Sequence, residues 1–397
     1  MLETILSGCR VLDLTQNVAG PFCAQTLGDL GAEVIKIERP GSGDDARQWK
    51  PPEIGGQSTG FLALNRNKKS VCIDLDTAPG QQLARRLAAT ADVLVHSLKP
   101  GSAESRGLGW DDLHPTNPRL VYCAISAFGE VGQMRALPGY DPLMQAFTGI
   151  MSVSGHEGDE PARVGVSLID MGTSMWATTG ILAALLRRAS TGQGMAVHTS
   201  LLETGLSWMT VSVANYLATG KLPRKMGSAM AMMAPYELFD TADGKVFIAA
   251  ANDRLFAKVC GALGKPELAV DARFVGMSQR IANREALHTA LEARTRLRST
   301  AANVAALRSA GAPCSEMHDV AQVLAHEQVR AVDMLTDLPV TGAPEHKAMG
   351  LPINSQGRRG RTGQSPPALG AHTDEVLVAL GLNAQELAEL RRCSVIA

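Results

Sequence analysis

The chain has 397 residues, of which 45% are hydrophobic and 19% charged, a composition typical of a globular protein of about two domains. Its net charge of −1 excludes the global positive field with which proteins attract nucleic acid or anionic membranes. Seven scattered cysteines without a CxxC pair indicate no disulfide framework, and nine histidines without HExxH spacing indicate no metal site. The opening MLETILSGCRVLDLT lacks the pattern of a signal peptide, and no apolar stretch is long enough for a bilayer, so we expect a soluble cytoplasmic protein.

The first part of the chain alternates strand-like and helical patterns. RVLDLT, from Arg10, predicts a buried strand, Gly20-Pro21 predicts a helix start, and EVIKIE predicts the next strand. This β-α-β unit of about 30 residues is the building block of a parallel sheet. The strand-like segments KSVCIDL, DVLVHSL and LVYCAISAFG continue the pattern, with the helical GQQLARRLAATA between the first two. We therefore predict an α/β fold whose sheet carries helices on both faces.

The later part of the chain predicts a second, smaller domain. An apolar run with strand character precedes Asp170, and a helix extends from there to about Arg188, followed by a strand and a long amphipathic helix. The stretch 220–233 predicts a linker or mobile loop, and Asp243-Gly244 predicts a hairpin turn. We predict a large Rossmann-like domain of residues 1–205 with 336–397, a linker of 206–224, and a small α+β domain of 225–335.

Three basic loops follow or precede predicted strands. The first β-α turn has no GxGxxG, but Arg39 comes directly after Glu38 and before the Gly- and Ser-rich PGSGDDAR, which suits a phosphate. NRNKKS clusters three cations, and HSLKPGSAESRGLGW carries Lys99 and Arg106. Each loop alone is more often a solvated edge, and together they predict a polyphosphate site. His96 could act as a general base, although a loop histidine is more often a solvated or packing residue.

Asp170 is a lone carboxylate ahead of a long apolar helix. It could cap that helix. It could also be a nucleophile, because a strand end and a helix start would bring it to the same sheet edge as the basic loops, and a helix N-terminus stabilises an anion. Position alone leaves both interpretations open.

Several blocks of the sequence resemble the class III CoA-transferases, the family of formyl-CoA transferase and carnitine CoA-transferase. They match in chain order and cover nearly the whole sequence: GCRVLDLTQNVAGPFCAQTLGDLGAEVIKIERPGSGDDAR, RNKKSVCIDL, ADVLVHSLKPG, PGYDPLMQA, GILAALLRRASTGQG and LGAHTDEVLVALGL. The resemblance implies an interlocked homodimer in which each chain is a ring threaded through the other. It also implies a Rossmann-like large domain closed by the C-terminal residues.

The resemblance also implies roles for individual residues. Asp170 stands at the family's catalytic aspartate, which attacks an acyl-CoA thioester to give an anhydride and then an aspartyl-CoA thioester, without ATP or a metal. Coenzyme A is then a substrate and not a tightly bound cofactor. The implied CoA contacts are Val18, Ala19, Arg39, Ile73, Asp74, Leu75, Ser97, Leu98, Lys99 and Arg106. Trp49 and Tyr140 match substrate-side positions of formyl-CoA transferase.

The sequence departs from the family pattern at several of these positions. It has His96-Ser97-Leu98 where relatives often have Glu-Asn-Phe/Tyr, and Arg106 comes one residue after the usual phosphate-contacting arginine. The glycine-rich substrate loop of formyl-CoA transferase and its tyrosine near Gly60 are not evident. The last two departures argue against formate and oxalate as substrates.

Alternatives remain inside and outside this family. The related 2-methylacyl-CoA racemases use a Gly-His-Asp motif, and here Gly139-Tyr140-Asp141 puts a neutral phenol where an imidazole base is needed, which favours a transferase. We expect succinyl-CoA as donor and a small dicarboxylic acid as acceptor, with Arg47 and Arg135 as candidates for its second carboxylate. A dinucleotide-dependent dehydrogenase and a CoA-binding protein without catalysis are the other hypotheses.

Overall fold

The computed structural model describes residues 2–360 and 363–397. Contacts within the chain divide it into two units, of which the first comprises residues 1–150, 164–214 and 330–397 and the second 151–163 and 215–329. The predicted linker, 206–224, lies across this division and is helical over Thr210–Thr219. Residues 151–163, which the predicted boundaries place in the large domain, belong to the second unit.

Most strands are short and belong to the first unit. In chain order they are β1 (Arg10–Leu14), β2 (Glu33–Glu38), β3 (Glu53–Ile54), β4 (Gln57–Ser58), β5 (Lys68–Cys72), β6 (Val93–His96), β7 (Val121–Ser126), β8 (Met195–Ser200), β9 (Tyr236–Asp240), β10 (Lys245–Ala249), β11 (Cys314–Glu316), β12 (Leu335–Asp337), β13 (Lys347–Met349), β14 (Asn354–Ser355) and β15 (Arg358–Arg359).

The helices range from one turn to more than six. In chain order they are α1 (Ala19–Asp29), α2 (Thr59–Leu64), α3 (Ala78–Ala89), α4 (Trp110–Leu113), α5 (Asp141–Phe147), α6 (Ile150–Val153), α7 (Leu168–Thr191), α8 (Leu201–Trp208), α9 (Thr210–Thr219), α10 (Asp253–Ala262), α11 (Met277–Ala282), α12 (Arg284–Thr295), α13 (Thr300–Ser309), α14 (Val320–Ala325), α15 (Glu327–Ala331), α16 (Thr373–Ala379) and α17 (Ala384–Arg392). In the part of the chain that the structure describes, none of them has both the length and the apolar character needed to cross a bilayer.

Six strands of the first unit form one parallel sheet in the order β5-β2-β1-β6-β7-β8. β1 lies in the middle, where Val11 is paired with Val34 of β2 on one side and with Val93 of β6 on the other. When the six strands of this sheet are numbered 1 to 6 in chain order, their order across the sheet is 3-2-1-4-5-6, which is that of a doubly wound fold. The predicted parallel α/β sheet is confirmed. The direction of winding reverses between β1 and β6, and the crevice at their carboxyl ends is where such sheets bind ligands.

The strands of this sheet are buried on both faces. Successive side chains of a strand point to opposite faces, so Leu12 packs in a cluster with side chains of α3 and α16, and Val11 packs in a second cluster with α1 and α7. Both faces therefore carry helices, as predicted. At the edge, Ile73 forms an antiparallel bridge with Ile396, so the last residues of the chain pack beside the end of β5.

The second unit has a small antiparallel sheet in the order β11-β10-β9 and helices α10 to α13. The hairpin between β9 and β10 closes at Asp243-Gly244, where the Thr241 N–H donates to the Gly244 carbonyl at 2.9 Å. Phe239, Phe256 and Leu291 belong to its apolar core. The predicted hairpin is confirmed, and the unit combines strands and helices as expected.

The predicted strand before Asp170 is wrong. Residues 164–167 have no strand partner, and α7 begins at Leu168. The Gln145 side chain instead forms hydrogen bonds with the backbone of Val164. The Val164 N–H donates to the Gln145 side-chain carbonyl at 2.8 Å, and the Gln145 side-chain amide donates to the Val164 carbonyl at 3.4 Å. Apolar residues alone predicted a strand here because the sequence does not display this local hydrogen bonding.

Candidate active site

Asp170 lies in the first turn of α7, on the wall of a cavity of about 420 Å³. Three loops build much of that wall: residues 16–19 after β1, 97–100 after β6, and 135–140 between β7 and α5. β1 and β6 are the two strands between which the winding reverses, so the cavity occupies the crevice expected of this fold.

Asp141 caps the helix that carries Asp170. Its carboxylate accepts from the N–H of Ile169 at 2.7 Å and from the N–H of Asp170 at 3.2 Å, and the Gln145 side-chain amide donates to it at 2.5 Å. Ser167, at the N-cap position, makes no side-chain capping bond. The first N–H groups of α7 therefore have their acceptor in Asp141. Asp170 is not the cap, and its carboxylate is available to the cavity.

The environment of Asp170 raises its pKa. Burial, and next the negative charge of Asp141, raise the pKa of Asp170 from 3.8 to about 7. The expected stabilisation of the Asp170 carboxylate by the helix N-terminus is offset, because Asp141 already occupies that positive end and adds a like charge. A perturbed carboxyl group on a cavity wall is a common property of catalytic acids, bases and nucleophiles.

Seven of the residues implied by resemblance line the same cavity as Asp170. They are Val18, Ala19, Trp49, Ser97, Leu98, Lys99 and Tyr140. The loops after β1 and β6 are joined directly, because the Gln16 N–H donates to the Ser97 hydroxyl at 3.2 Å. The structure thus brings together, around one carboxylate, residues that are separated by more than 100 positions in the sequence.

The other implied CoA contacts lie outside this cavity lining. The N–H of Ile73 donates to the Glu38 carbonyl at 3.0 Å and that of Asp74 to the Val395 carbonyl at 2.8 Å, and Leu75 follows them. Arg39 is ion-paired with Asp45 at 2.6 Å, with both side chains more than half exposed. Arg106 is paired with Asp76 and donates to the Ser102 hydroxyl.

Most cations of the predicted phosphate and carboxylate sites form ion pairs within the chain that stabilise the fold. The segment NRNKKS offers no free cation: Arg66 pairs with Asp29 and Lys68 with Asp13, all buried, while Lys69 pairs with two glutamates. Acids of β1, α1 and β2 already neutralise much of this segment, so it adds less to the predicted polyphosphate site than its composition indicates.

Arg47 is likewise unavailable to a substrate. Its guanidinium makes two hydrogen bonds of 2.7 Å to the buried carboxylate of Glu38 and stacks 3.7 Å from the centre of the Phe61 ring. Such a fork geometry fixes the arginine firmly. Of the two arginines that the sequence offered for a second carboxylate, Arg135 alone lines the cavity.

A buried charge network that sequence reasoning missed supports the loop after β1. The Lys36 ammonium lies 2.8 Å from Asp44 and donates to the Thr15 carbonyl at 2.7 Å. Asp44 in turn accepts from the N–H of Asn17 at 3.0 Å, which holds Asn17 in a left-handed conformation with φ of 70°. The signal available in the sequence was a lysine inside the strand EVIKIE, because a charge in a fully buried strand requires a partner.

His96 does not face Asp170. It is buried at the end of β6 and lines a neighbouring cavity of about 610 Å³ with Tyr122 and His198. Burial, with a smaller contribution from His198, lowers the pKa of His96 to about 4, so the ring is neutral at physiological pH. This agrees with the packing interpretation of His96, and Nδ1 accepts from the Leu98 N–H at 3.3 Å.

Comparison with known proteins identifies the class. The model of CoA-transferase family III matches residues 6–373, and the chain belongs to this family. It is therefore an enzyme of the class III CoA-transferases, whose substrates are CoA thioesters. The described residues contain no group of three or more His, Cys, Asp or Glu side chains arranged to hold a metal.

Three relatives illustrate the similarity. The succinyl-CoA:glutarate CoA-transferase of Mus musculus is 36% identical over 94% of this chain and 85% of its own length. The acetyl-CoA:oxalate CoA-transferase of Acetobacter aceti is 37% identical over 83% of this chain and 84% of its own. The crystal structure of a CAIB/BAIF family protein from Brucella suis superposes with a TM-score of 0.84 at 37% identity, covering 94% of this chain and 99% of that chain.

Proposed function

We propose that the protein transfers CoA from an acyl-CoA donor, in the first place succinyl-CoA, to a small dicarboxylic acid, with Asp170 as the nucleophile. The observation that carries this proposal is the position of Asp170: a carboxylate with no side-chain partner among the described residues, on the cavity wall at the sheet's switch point. The relatives support the acid class, since glutarate and oxalate, which appear in two of their names, are both dicarboxylates.

The first half of the reaction moves the acyl group to the enzyme. The ionised carboxylate of Asp170 attacks the thioester carbonyl, the C–S bond breaks, and CoA leaves as its thiolate. The product is a mixed anhydride between Asp170 and the donor acid. The thiolate then attacks the aspartyl carbonyl, which releases the donor acid as a carboxylate and leaves Asp170 as a thioester of CoA.

The second half repeats these steps in reverse. The acceptor carboxylate attacks the aspartyl thioester, CoA thiolate leaves, and a new mixed anhydride forms. The thiolate attacks the acceptor's acyl carbon, which yields the new acyl-CoA and restores the Asp170 carboxylate. The energy of the thioester bond is conserved through each covalent intermediate, and no co-reactant is consumed.

We assign the remaining cavity residues to binding. Val18 and Ala19 border the thioester end of CoA, Ser97 to Lys99 line its path, and Trp49 and Tyr140 border the acid. Arg39 and Arg106 bind the phosphates of CoA. The exposed pair of Arg39 with Asp45 contributes little stability and can exchange its partner for a phosphate. The backbone of Ile73, Asp74 and Leu75 meets the adenine.

Racemisation of a 2-methylacyl-CoA is the alternative for the same family. It needs a base opposite Asp170, and the position of the family's histidine holds Tyr140. His96, at the end of β6, lines the neighbouring cavity instead. Both observations favour transfer over racemisation.

We also propose that the protein works as an interlocked homodimer. The support in this chain is a set of large apolar side chains left exposed on and after α7. They include Met175, Trp176, Leu206, Trp208 and Val211. Exposed apolar surface of this extent is typical of a face that a partner covers.

The purified protein tests the proposal directly. Succinyl-CoA and acetyl-CoA are each incubated with a panel of acids that includes glutarate, oxalate and matched monocarboxylates, and the CoA products are identified by mass spectrometry. Hydroxylamine is added in a second arm, where it should convert activated Asp170 to a hydroxamate that peptide mapping locates. Asp170→Ala should abolish both results, and Asp111→Asn, an exposed acid outside the Asp170 cavity, serves as the control.

Three outcomes would overturn the proposal. Full transfer by Asp170→Ala would exclude the nucleophile. Absence of any new acyl-CoA would favour a CoA-binding protein without catalysis. Exchange of the α-hydrogen of a 2-methylacyl-CoA with solvent would favour racemisation.

A further inference from the structure

Two cations on the Asp170 cavity have no partner. Lys99 and Arg135 line it, both are exposed, and in the part of the chain that the structure describes neither side chain makes a hydrogen bond or an ion pair. The other charged residues of the lining are Asp141 and Asp170. Among the described residues that line the cavity, Lys99 and Arg135 are therefore the two cations that a second negative group of a substrate can meet.

We propose that Arg135 determines the preference for dicarboxylic acids by pairing with the carboxylate that does not react with Asp170. This inference rests on the proposed function and names the residue that sets its substrate class. A carboxylate carried into a partly enclosed cavity needs a cationic partner to replace its hydration. The planar guanidinium of arginine offers two parallel N–H donors that match a carboxylate.

The position of Arg135 suits this role. It belongs to the loop between β7 and α5, whose residues 135–140 line the cavity and lead directly into Asp141, the cap of α7. Two backbone bonds shape this loop, from Arg135 N–H to the Gly132 carbonyl and from Leu137 N–H to the Met134 carbonyl. The same loop therefore carries the unpaired guanidinium of Arg135 and, at its end, Tyr140, which we assign to binding of the acid.

Lys99 is the competing candidate, and the neighbouring residues separate the two. Lys99 follows Ser97 and Leu98 at the end of β6, in the segment that we assign to CoA. Its compact ammonium acts as a point charge that suits a phosphate of CoA. Arg135 belongs to a different loop, residues 135–140, which ends at Tyr140, a residue that we assign to the acid.

The experiment compares donors that differ only in the distal group. Succinyl-CoA and butyryl-CoA have acyl chains of equal length that end in a carboxylate and a methyl group. Each is used with glutarate as acceptor, because kcat/KM for the donor in a ping-pong reaction reports the first half-reaction alone. We compare the wild type with Arg135→Gln, Arg135→Lys and Arg187→Gln, an exposed arginine of α7 away from the cavity lining.

We expect Arg135→Gln to lower kcat/KM for succinyl-CoA by roughly 10- to 100-fold, the usual range for one charge-assisted pair, with little change for butyryl-CoA. Arg135→Lys should retain part of the preference, and Arg187→Gln all of it. The Kd of free CoA, measured by calorimetry, should stay within about twofold of the wild type because the pair is made with the acid.

An equal loss for both donors, or weaker binding of free CoA, would assign Arg135 to the CoA phosphates and overturn the inference. An unchanged ratio of the two donors in Arg135→Gln would also overturn it. Hydroxamate formation on Asp170 in the same variant shows independently whether the covalent route is intact. A failure of the inference can therefore be distinguished from a failure of the proposed function.

Discussion

Replacement of Asp170 by asparagine should make the folded protein more stable above pH 7. The pKa of Asp170 is raised from 3.8 to about 7 by burial and by the charge of Asp141, so the folded state resists ionisation that the unfolded chain undergoes freely. A carboxyl whose pKa is raised on folding contributes stability in full below about pH 3.8, and this contribution is lost as pH rises through 7. Asparagine keeps the shape and carries no charge at any of these pH values.

The magnitude follows from the difference between the two pKa values. At 1.36 kcal/mol per pKa unit, the difference between 3.8 and about 7 corresponds to about 4 kcal/mol at pH 8, as an upper value. Asp170 is only partly buried and the amide needs its own hydrogen bonds, so we expect roughly 2–4 kcal/mol. For the first unit, which comprises residues 1–150, 164–214 and 330–397, this free-energy difference corresponds to an increase of roughly 4–8 °C in the midpoint temperature of unfolding.

Thermal unfolding monitored by calorimetry between pH 4.5 and pH 8 measures this effect. The difference between Asp170→Asn and the wild type should grow with pH and should be small at pH 4.5. Asp111→Asn, an exposed aspartate in the first turn of α4, is the control and should stay within about 0.5 kcal/mol. A difference that is the same at both ends of the pH range, or a less stable variant at pH 8, would refute the assignment of the raised pKa.

Two further predictions concern charged residues, one beside Asp170 and one in a buried ion pair of the fold. Asp141→Asn keeps an oxygen that can accept the α7 N–H groups but removes the charge. In the proposed reaction Asp170 sets the acid limb of the pH profile of kcat/KM, and this limb should move to lower pH by about one unit, since burial is the larger cause of the raised pKa of Asp170. A limb that stays near pH 7 would contradict this. Arg66→Met should cost about 3–5 kcal/mol in urea unfolding, because it leaves the buried carboxylate of Asp29 without its cation. Arg39→Met, which breaks an exposed arginine–aspartate pair, should cost less than about 1 kcal/mol, and equal losses in the two variants would contradict the role of burial.

The sheet could be predicted from the sequence because its signals are local. RVLDLT and EVIKIE are apolar, short and separated by a helical pattern, and a parallel sheet follows from their alternation with helices. The run before Asp170 has a similar composition and forms no strand. What decides there is the Gln145 side chain, which satisfies the backbone of Val164 from a different element. Composition carries no information about such a partner.

The site was predictable in part for the same reason. The family blocks identified Asp170, and the order of the strands brought the loops after β1 and β6 to it. The partners of the buried cations in NRNKKS were not predictable, because these pairs join positions far apart: Arg66 lies 37 residues from Asp29, and Lys68 lies 55 from Asp13. Basic residues near strand ends therefore suggested more phosphate ligands than the fold leaves free.

The charges that remain explain how the cavity could serve both halves of the reaction. Asp141 and Asp170 oppose Lys99 and Arg135, so the lining is neutral when all four are ionised. In the proposed reaction, acylation of Asp170 consumes its negative charge and leaves the lining with one positive charge in excess. This positive excess arises when the CoA thiolate and the distal carboxylate of the acid are both in the cavity. The excess charge attracts both anions and so holds them close to the anhydride. When the carboxylate of Asp170 is restored, the excess disappears and the negatively charged products are held less strongly. A neutral residue at position 135 would leave the lining with one negative charge before acylation and none after it, so the positive excess would not arise. This links the donor preference of Arg135→Gln to the charge that Asp170 gains and loses.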